Sequence, residues 1–200
     1  MANYINTVTG QWPVSETQIR ADFPQTSFPS PFIPPDEYKV IFPAPAPTPA
    51  NPVIQTVREI TPVLTSKGHY EQSYEIVDRF SDYTDEEGVL HTKADQEQAA
   101  IAADLQAKTE AFIKSVTDAT QARLDDFART RNYDGILSAC TYASSQVTKF
   151  ASEGQYCVNA RDNTWATLYT LMGEVQSGNQ PMPSSVEDVM SLLPELTWPN

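Results

Sequence analysis

The side chains that could do chemistry are few, and their spacing argues against most of it. His69 and His91 could ligate a metal or move a proton, yet neither has cysteine, histidine or glutamate neighbours that complete a metal-ligand spacing. Both read as surface histidines. Cys140 and Cys157 are too few for a disulfide scaffold and lack the close pairing of a zinc site, so they read as two buried free thiols. Asp125 and Asp126 could be imagined as a carboxylate dyad, but adjacent helix positions diverge by about 100°, which leaves them on a solvated face. No Gly-x-Ser-x-Gly elbow, Gly-rich phosphate loop or His-Glu-x-x-His helix occurs, and seven glycines leave little material for tight active-site loops. The sequence therefore predicts no catalytic residue, no cofactor and no metal, and a chain that is not an enzyme.

Binding is the alternative, and charge limits the partners. With 26 acidic and 13 basic side chains the formal net charge is −13, which repels nucleic-acid phosphates and anionic lipid. No stretch approaches the roughly 18 apolar residues of a membrane span. Met1-Ala2-Asn3-Tyr4 has neither the charged nor the apolar part of a leader. A cytoplasmic protein with no nucleic-acid binding and no membrane insertion is expected.

The elements that would position a binding surface follow from the prolines. Of 16 prolines, 12 lie at or before Pro62. The alternating Pro43, Pro45, Pro47 and Pro49 cannot donate ladder hydrogen bonds and favour polyproline II, so 42–52 reads as a semi-rigid extended connector. Upstream, Ser15 and Gln18 have capping-box spacing, which predicts a short helix to Asp22 that stops before Pro24. Trp12, Phe23, Phe28, Phe32 and Tyr38 are interleaved with prolines that break any periodic face. Residues 1–41 read as an extended, Pro-rich arm in which these five aromatics are candidate partner-binding anchors; a mini-domain folding back on its own chain is the alternative.

Beyond the connector, Val53 to Thr61 and Tyr70 to Asp78 have strand patterns around the turn residues Ser66-Lys67-Gly68. Residues 53–90 thus read as a β-hairpin region ending in an acidic, turn-rich link over Asp82 to Gly88. A lone hairpin is marginal and needs a third strand or another surface. Residues 93–130 form the clearest helix, alanine-rich and free of Gly and Pro, with an apolar stripe through Ile101, Leu105, Phe112, Val116, Ala119 and Phe127. That stripe exceeds what so small a chain can easily cover. Packing on a partner or in a homo-oligomer is expected beside packing on the C-terminal helices alone.

Residues 132–200 read as a helical bundle. Asp134 is placed to cap a first helix through Ile136 and Cys140, and a second runs from Lys149 or Phe150 to Ser177 with Gly178-Asn179 as its stop. Ser184 with Glu187, or Ser185 with Asp188, opens a third that Pro194 ends. Trp198 would close the core. The expected fold class is mainly α with a small β part (α+β).

Two segments carry a resemblance. They are Tyr4-Ile5-Asn6-Thr7-Val8-Thr9-Gly10-Gln11-Trp12-Pro13-Val14-Ser15-Glu16 with Ile19-Arg20 at one end, and Tyr133-Asp134-Gly135-Ile136-Leu137-Ser138-Ala139-Cys140-Thr141-Tyr142-Ala143, Phe150, Glu153-Gly154-Gln155, Cys157, Arg161-Asp162, Trp165 and Leu196-Thr197-Trp198-Pro199 at the other. Together they resemble small tail proteins of tailed bacteriophages, many encoded beside tail-fibre genes. The resemblance implies a non-enzymatic virion adaptor that binds a tail, baseplate or tail-fibre protein. Such a protein would sit in the host cytoplasm during assembly and in the virion tail afterwards. The same resemblance accommodates a tail-fibre assembly chaperone that is not retained in the particle. A host-surface depolymerase is the third reading, and no paired acid, nucleophile or metal constellation supports it.

In a reducing cytoplasm the two cysteines should stay unlinked. Alkylation of freshly purified, denatured protein is therefore expected to modify both Cys140 and Cys157, and finding neither reactive would overturn the reading.

Overall fold

A computed structural model describes residues 3–199. Helix makes up 45% and strand 17%, so the fold is α+β with helix the larger part. Contacts divide the chain into two units, one to Asp104 and one from Leu105.

The first unit is built on a curled five-stranded sheet. Strand β1 (Asn3–Asn6) lies between β2 (Val14–Ser15) and β3 (Tyr38–Phe42), antiparallel to both. Ser15 then caps α1 (Glu16–Asp22) with the predicted box: its hydroxyl accepts from the Gln18 N–H, and its own N–H donates to Gln18 Oε1 at 2.8 Å. Tyr4, Val14 and Tyr38 pack on Ile19 of α1, with Phe23, Phe28, Phe32 and Val40 around them. Over the described residues 3–41 the expected extended arm is thus a folded layer. Prolines do prevent a periodic aromatic face between Phe23 and Tyr38, but the strands on either side return the chain over its own sheet. Irregular backbone and α1 then bury each other's apolar groups.

The remaining strands are β4 (Gln55–Leu64) and β5 (Tyr70–Asp78), an antiparallel hairpin. β5 also runs parallel to β3 through Ile41↔Tyr70 and Phe42↔Glu71, which places β4 on the outer edge in the order β2-β1-β3-β5-β4. Phe42 therefore sits beside Glu71, while Gln55 sits beside Asp78. The connector must advance along β5 from Glu71 to Asp78, about 23 Å at about 3.3 Å per residue. Polyproline II rises about 3.1 Å per residue, so the Ala-Pro run matches that span without needing a ladder. At its end Asn51 C=O accepts from the N–H groups of Ile54 (3.3 Å) and Gln55 (2.9 Å), turning the chain into β4.

The first hairpin strand was expected to stop at Thr61, before Pro62. It continues to Leu64 because the register shifts between Ile60 and Val63, and a proline at a bulge removes no ladder bond. The acidic link expected to be a solvated loop is a small ribbon, β6 (Tyr83–Thr84) against β7 (Leu90–His91). Asp85 organises its turn by accepting from the N–H groups of Glu87 and Val89 at 3.0 and 2.8 Å.

Helix α2 (Lys93–Arg129) has 37 residues, about 55 Å at about 1.5 Å per residue. Burial along it is uneven. Val116, Thr120, Leu124 and Ala128 are buried at four-residue steps, whereas Ile101 and Leu105 are exposed. Past Arg129 the chain turns out of the helix at Asn132, whose φ of 64° is the left-handed conformation of a helix terminus, and the Tyr133 N–H reaches back to the Ala128 carbonyl.

The second unit adds α3 (Ile136–Thr141), a 3₁₀ turn (Tyr142–Ser144), α4 (Thr148–Gln176) and α5 (Val186–Leu192). Leu124 and Ala128 of α2 form one cluster with Ile136, Ala139 and Cys157, and Val116 forms another with Leu168, Val189 and Leu193. The helical module expected over 132–200 therefore draws part of its core from α2. Asp134 does not cap α3. The N-cap is Gly135, and Asp125 reaches from α2 to accept the Ile136 N–H at 2.8 Å. Asp125 is thus a structural cap, and Asp126 instead pairs with Arg129 at 2.7 Å. For α5, the Ser185–Asp188 pair forms the capping box.

One glycine makes the helical packing feasible. A Cβ on Gly154 would land on the Ala143 amide nitrogen and lie 2.5 Å from the Tyr142 carbonyl carbon, so α4 can approach the 3₁₀ turn only without a side chain there. Gly173, later in the same helix, has nothing within 4 Å of a built Cβ. Gly154→Ala should cost about 3 kcal/mol through overpacking. Gly173→Ala should add roughly 0.8 kcal/mol through helix propensity. Urea unfolding of the two variants checks both signs, and equal effects would contradict the contact geometry.

Candidate interaction surfaces

The five aromatics singled out as anchors are placed unequally. Tyr38 is buried, only 5% exposed, and its hydroxyl donates to Asp22 Oδ2 at 3.2 Å. Phe23 packs edge-on to Tyr38, and Phe32 meets both Phe28 (centroids 5.1 Å apart) and Tyr4 (5.9 Å). The Arg20 guanidinium lies over Phe28 and Phe32 at 5.2 and 4.7 Å, a cation–π contact that closes the cluster's outer side. Glu16 holds that guanidinium in place at 2.7 Å. Among the described residues Trp12 is half-buried and lies outside this cluster. The structure thus brings four of the five together, with their faces turned mainly toward one another.

A surface that periodicity alone did not reveal is the outer edge of β4. The Arg79 N–H donates to the Ile54 carbonyl at 2.8 Å, which makes this a hydrogen-bonded pair continuing the ladder register. Antiparallel pairs alternate, so Thr56, Arg58 and Ile60 direct their backbone groups at β5, whereas Val57 and Glu59 direct theirs away. Among the described residues β4 has no strand on that side. Gln55 is already used, its N–H by Asn51 and its C=O by the Arg79 side chain at 3.0 Å. The open stretch before the bulge is therefore Val57 to Glu59. Both faces of the hairpin are thinly covered, with Ile76, Val63 and Leu64 exposed. Arg58 pairs with Glu75 across the strands, and Lys93 with Asp78 at 2.5 Å. The sequence signal for this edge was present in the strand pattern but was cut short at Pro62.

Both histidines have carboxylate partners. His69 pairs with Glu71 at 2.7 Å and His91 with Asp85 at 2.8 Å, each a single carboxylate. Among the described residues no three potential metal ligands gather, and no helix is long and apolar enough to cross a membrane. Cys140 and Cys157 adjoin one cluster, and burial pushes the Cys157 thiol up to about 11, helped by Cys140 and Glu153 nearby. Such a thiol is a poor nucleophile at neutral pH.

The buried acid of the second unit is Glu153, 3% exposed, on α4. It accepts from the Arg131 guanidinium and from the Tyr133 hydroxyl at 2.7 Å. Burial raises its carboxyl pKa, but Tyr133, Arg131 and Lys149 together outweigh that and hold it below the ordinary value. Trp198 covers this corner. It stacks on Phe127 at 4.3 Å, lies under Arg131 at 4.8 Å and donates its Nε1–H to Thr130 Oγ1 at 2.8 Å. The C-terminal tryptophan thus closes the core as its place in the sequence implied.

No family model, curated protein or solved structure matches the chain.

The Glu153 site sets a pH window. Its depressed folded-state pKa contributes stability above the unfolded carboxyl value, and that contribution is lost as pH falls through the folded value. Tyr133 is pushed up to about 12, first by burial and then by Glu153. Its contribution is complete below the unfolded tyrosine value of about 10 and is lost as pH rises toward 12. Thermal scans should show a neutral plateau with losses on both sides, and Glu153→Gln should flatten the acid limb. An unchanged acid limb in that variant would show the carboxylate to be unimportant.

Proposed function

We propose that the chain is a non-enzymatic component of a phage tail, a virion adaptor that binds a tail, baseplate or tail-fibre protein. The observation that supports this is the open edge of β4. Val57 and Glu59 offer backbone donors and acceptors to an incoming strand, a mode in which main-chain bonds supply affinity and alternate side chains supply specificity. A bare hairpin edge is a liability unless it is blunted or occupied. Here Pro62 and the bulge blunt one end, and the Asn51 turn closes the other, which confines pairing to a short and defined stretch. The resemblance of the two chain ends to small tail proteins supplies the setting. An assembly chaperone would use the same edge and leave before the particle is complete.

Co-expression with tail, baseplate and fibre genes, followed by pull-down, tests the proposal. Val57→Pro removes an outward amide without touching the ladder to β5, so it should weaken the complex by about 2 kcal/mol with unchanged circular dichroism. Mass spectrometry of purified particles should find the chain in fixed stoichiometry; absence despite binding would favour the chaperone. Binding to no such protein would overturn both.

A further inference from the structure

The open edge of β4 carries two ionic side chains in a fixed order. Val57 and Glu59 direct their backbone groups outward, so an antiparallel neighbour forms hydrogen-bonded pairs at these two residues. Between them, at Arg58, it forms a non-hydrogen-bonded pair, where facing side chains come closest. Arg58 is exposed, and its Nε and Nη2 both donate to Glu75 Oε1 on β5, Nε at 2.8 Å. Among the described residues Nη1 has no partner. A guanidinium has more donors than one carboxylate oxygen uses, so this one can hold a second carboxylate on its outer edge. Glu59 lies on the opposite face of the strand and is also exposed; its Oε1 accepts from Gln72 Nε2 at 3.2 Å, and its other oxygen is uncommitted.

We propose that this edge takes an antiparallel strand of a different protein, with Asp or Glu opposite Arg58 and Lys or Arg opposite Glu59. Because the strand runs against β4, its own order is cation, anion and then an apolar residue opposite Val57. Opposite charges facing one another across a strand pair stabilise it, and like charges destabilise it. Register excludes a second copy. Two β4 strands can pair through both open residues only with Val57 against Glu59, and that register sets Arg58 directly against its own counterpart. A shift by one residue, which would bring Glu59 against Arg58, fails because the backbone groups of Arg58 already bond to β5. A shift by two leaves one paired position, since the backbone groups of Gln55 are in use. The inference rests on the edge pairing of β4 proposed above and adds the order of charges that decides which strand is accepted.

The test uses the isotope-labelled full chain, with backbone amides followed by NMR, and two capped peptides as probes. One is Thr-Thr-Lys-Glu-Val-Thr-Thr; the other exchanges its Lys and Glu. Both have the same composition and no net charge, so general attraction to a chain of charge −13 is equal for the two. The first should shift the Val57 and Glu59 amide signals and bind about threefold more tightly than the second. In Arg58→Glu/Glu75→Arg the pair across to β5 is kept while the charge presented outward is reversed, and the difference between the peptides should vanish. Arg58→Gln should narrow it, which keeps the test valid should the double variant fold poorly. The proposal is overturned if neither peptide shifts those amides, or if the difference persists undiminished in both variants. Movement of the same amides on dilution of the free chain would place a second copy on the edge and overturn it too. Equal binding of both peptides at Val57 and Glu59 would overturn the charge order while leaving β4 a pairing edge.

Discussion

Proline has no backbone N–H, and where it falls decides which parts of this chain can build hydrogen-bonded structure. The stretch from Val63 to Gln180 contains none, and both long helices lie inside it. The first 62 residues hold twelve, and there three strands are fitted around them. β2 begins directly after Pro13, β3 ends directly before Pro43, and β4 passes Pro62 only by slipping register. The same constraint produces the open edge. A connector that cannot pair with β5 carries the chain past it, and β4 arrives at the edge of the sheet, with no further strand among the described residues.

In the helical unit the equivalent constraint is close approach. Gly154 lets α4 lie against the 3₁₀ turn, which brings Glu153 within reach of Arg131 and Tyr133. A buried carboxylate without those partners would cost several kcal/mol. With them it ties the end of α2 and the segment after it to α4. Trp198 then seals the corner, so the tail contributes packing as well as a terminus.

Much of this was legible. Capping boxes at Ser15 and Ser185, the extent of α2, the turn at Gly68 and the stop at Gly178 rest on local chemistry, and local chemistry is what a sequence displays. The misreadings share a cause, which is that the deciding partner is far away in sequence. Asp134 stands where a cap should stand, but Asp125 occupies the space and Gly135 admits it. Phe23, Phe28, Phe32 and Tyr38 look unpartnered because Tyr4 reaches them from β1 and Ile19 and Arg20 from α1. Pro62 looks like a strand end because a bulge depends on the opposite strand. Candidate surfaces fared worst. An open edge is a property of what is missing around a residue, and no residue type encodes that.

The exposed part of α2 shows why apolar surface can persist in such a chain. Ile101 and Leu105 are 44% and 64% exposed, yet the helix continues through them without a break. Alanine-rich sequence gives that stretch high intrinsic propensity, and an isolated helix of this composition fails mainly on nucleation. Nucleation is supplied from packed turns of the same helix, at Val116 and beyond. Pairs such as Gln106 with Glu110 at 2.9 Å and Lys114 with Asp118 at 2.5 Å add to it along the solvent face. Association through the exposed apolar positions is opposed by the −13 charge, which makes copies of the chain repel one another. The acidic balance therefore lets exposed apolar groups remain in solvent without driving the chain out of solution.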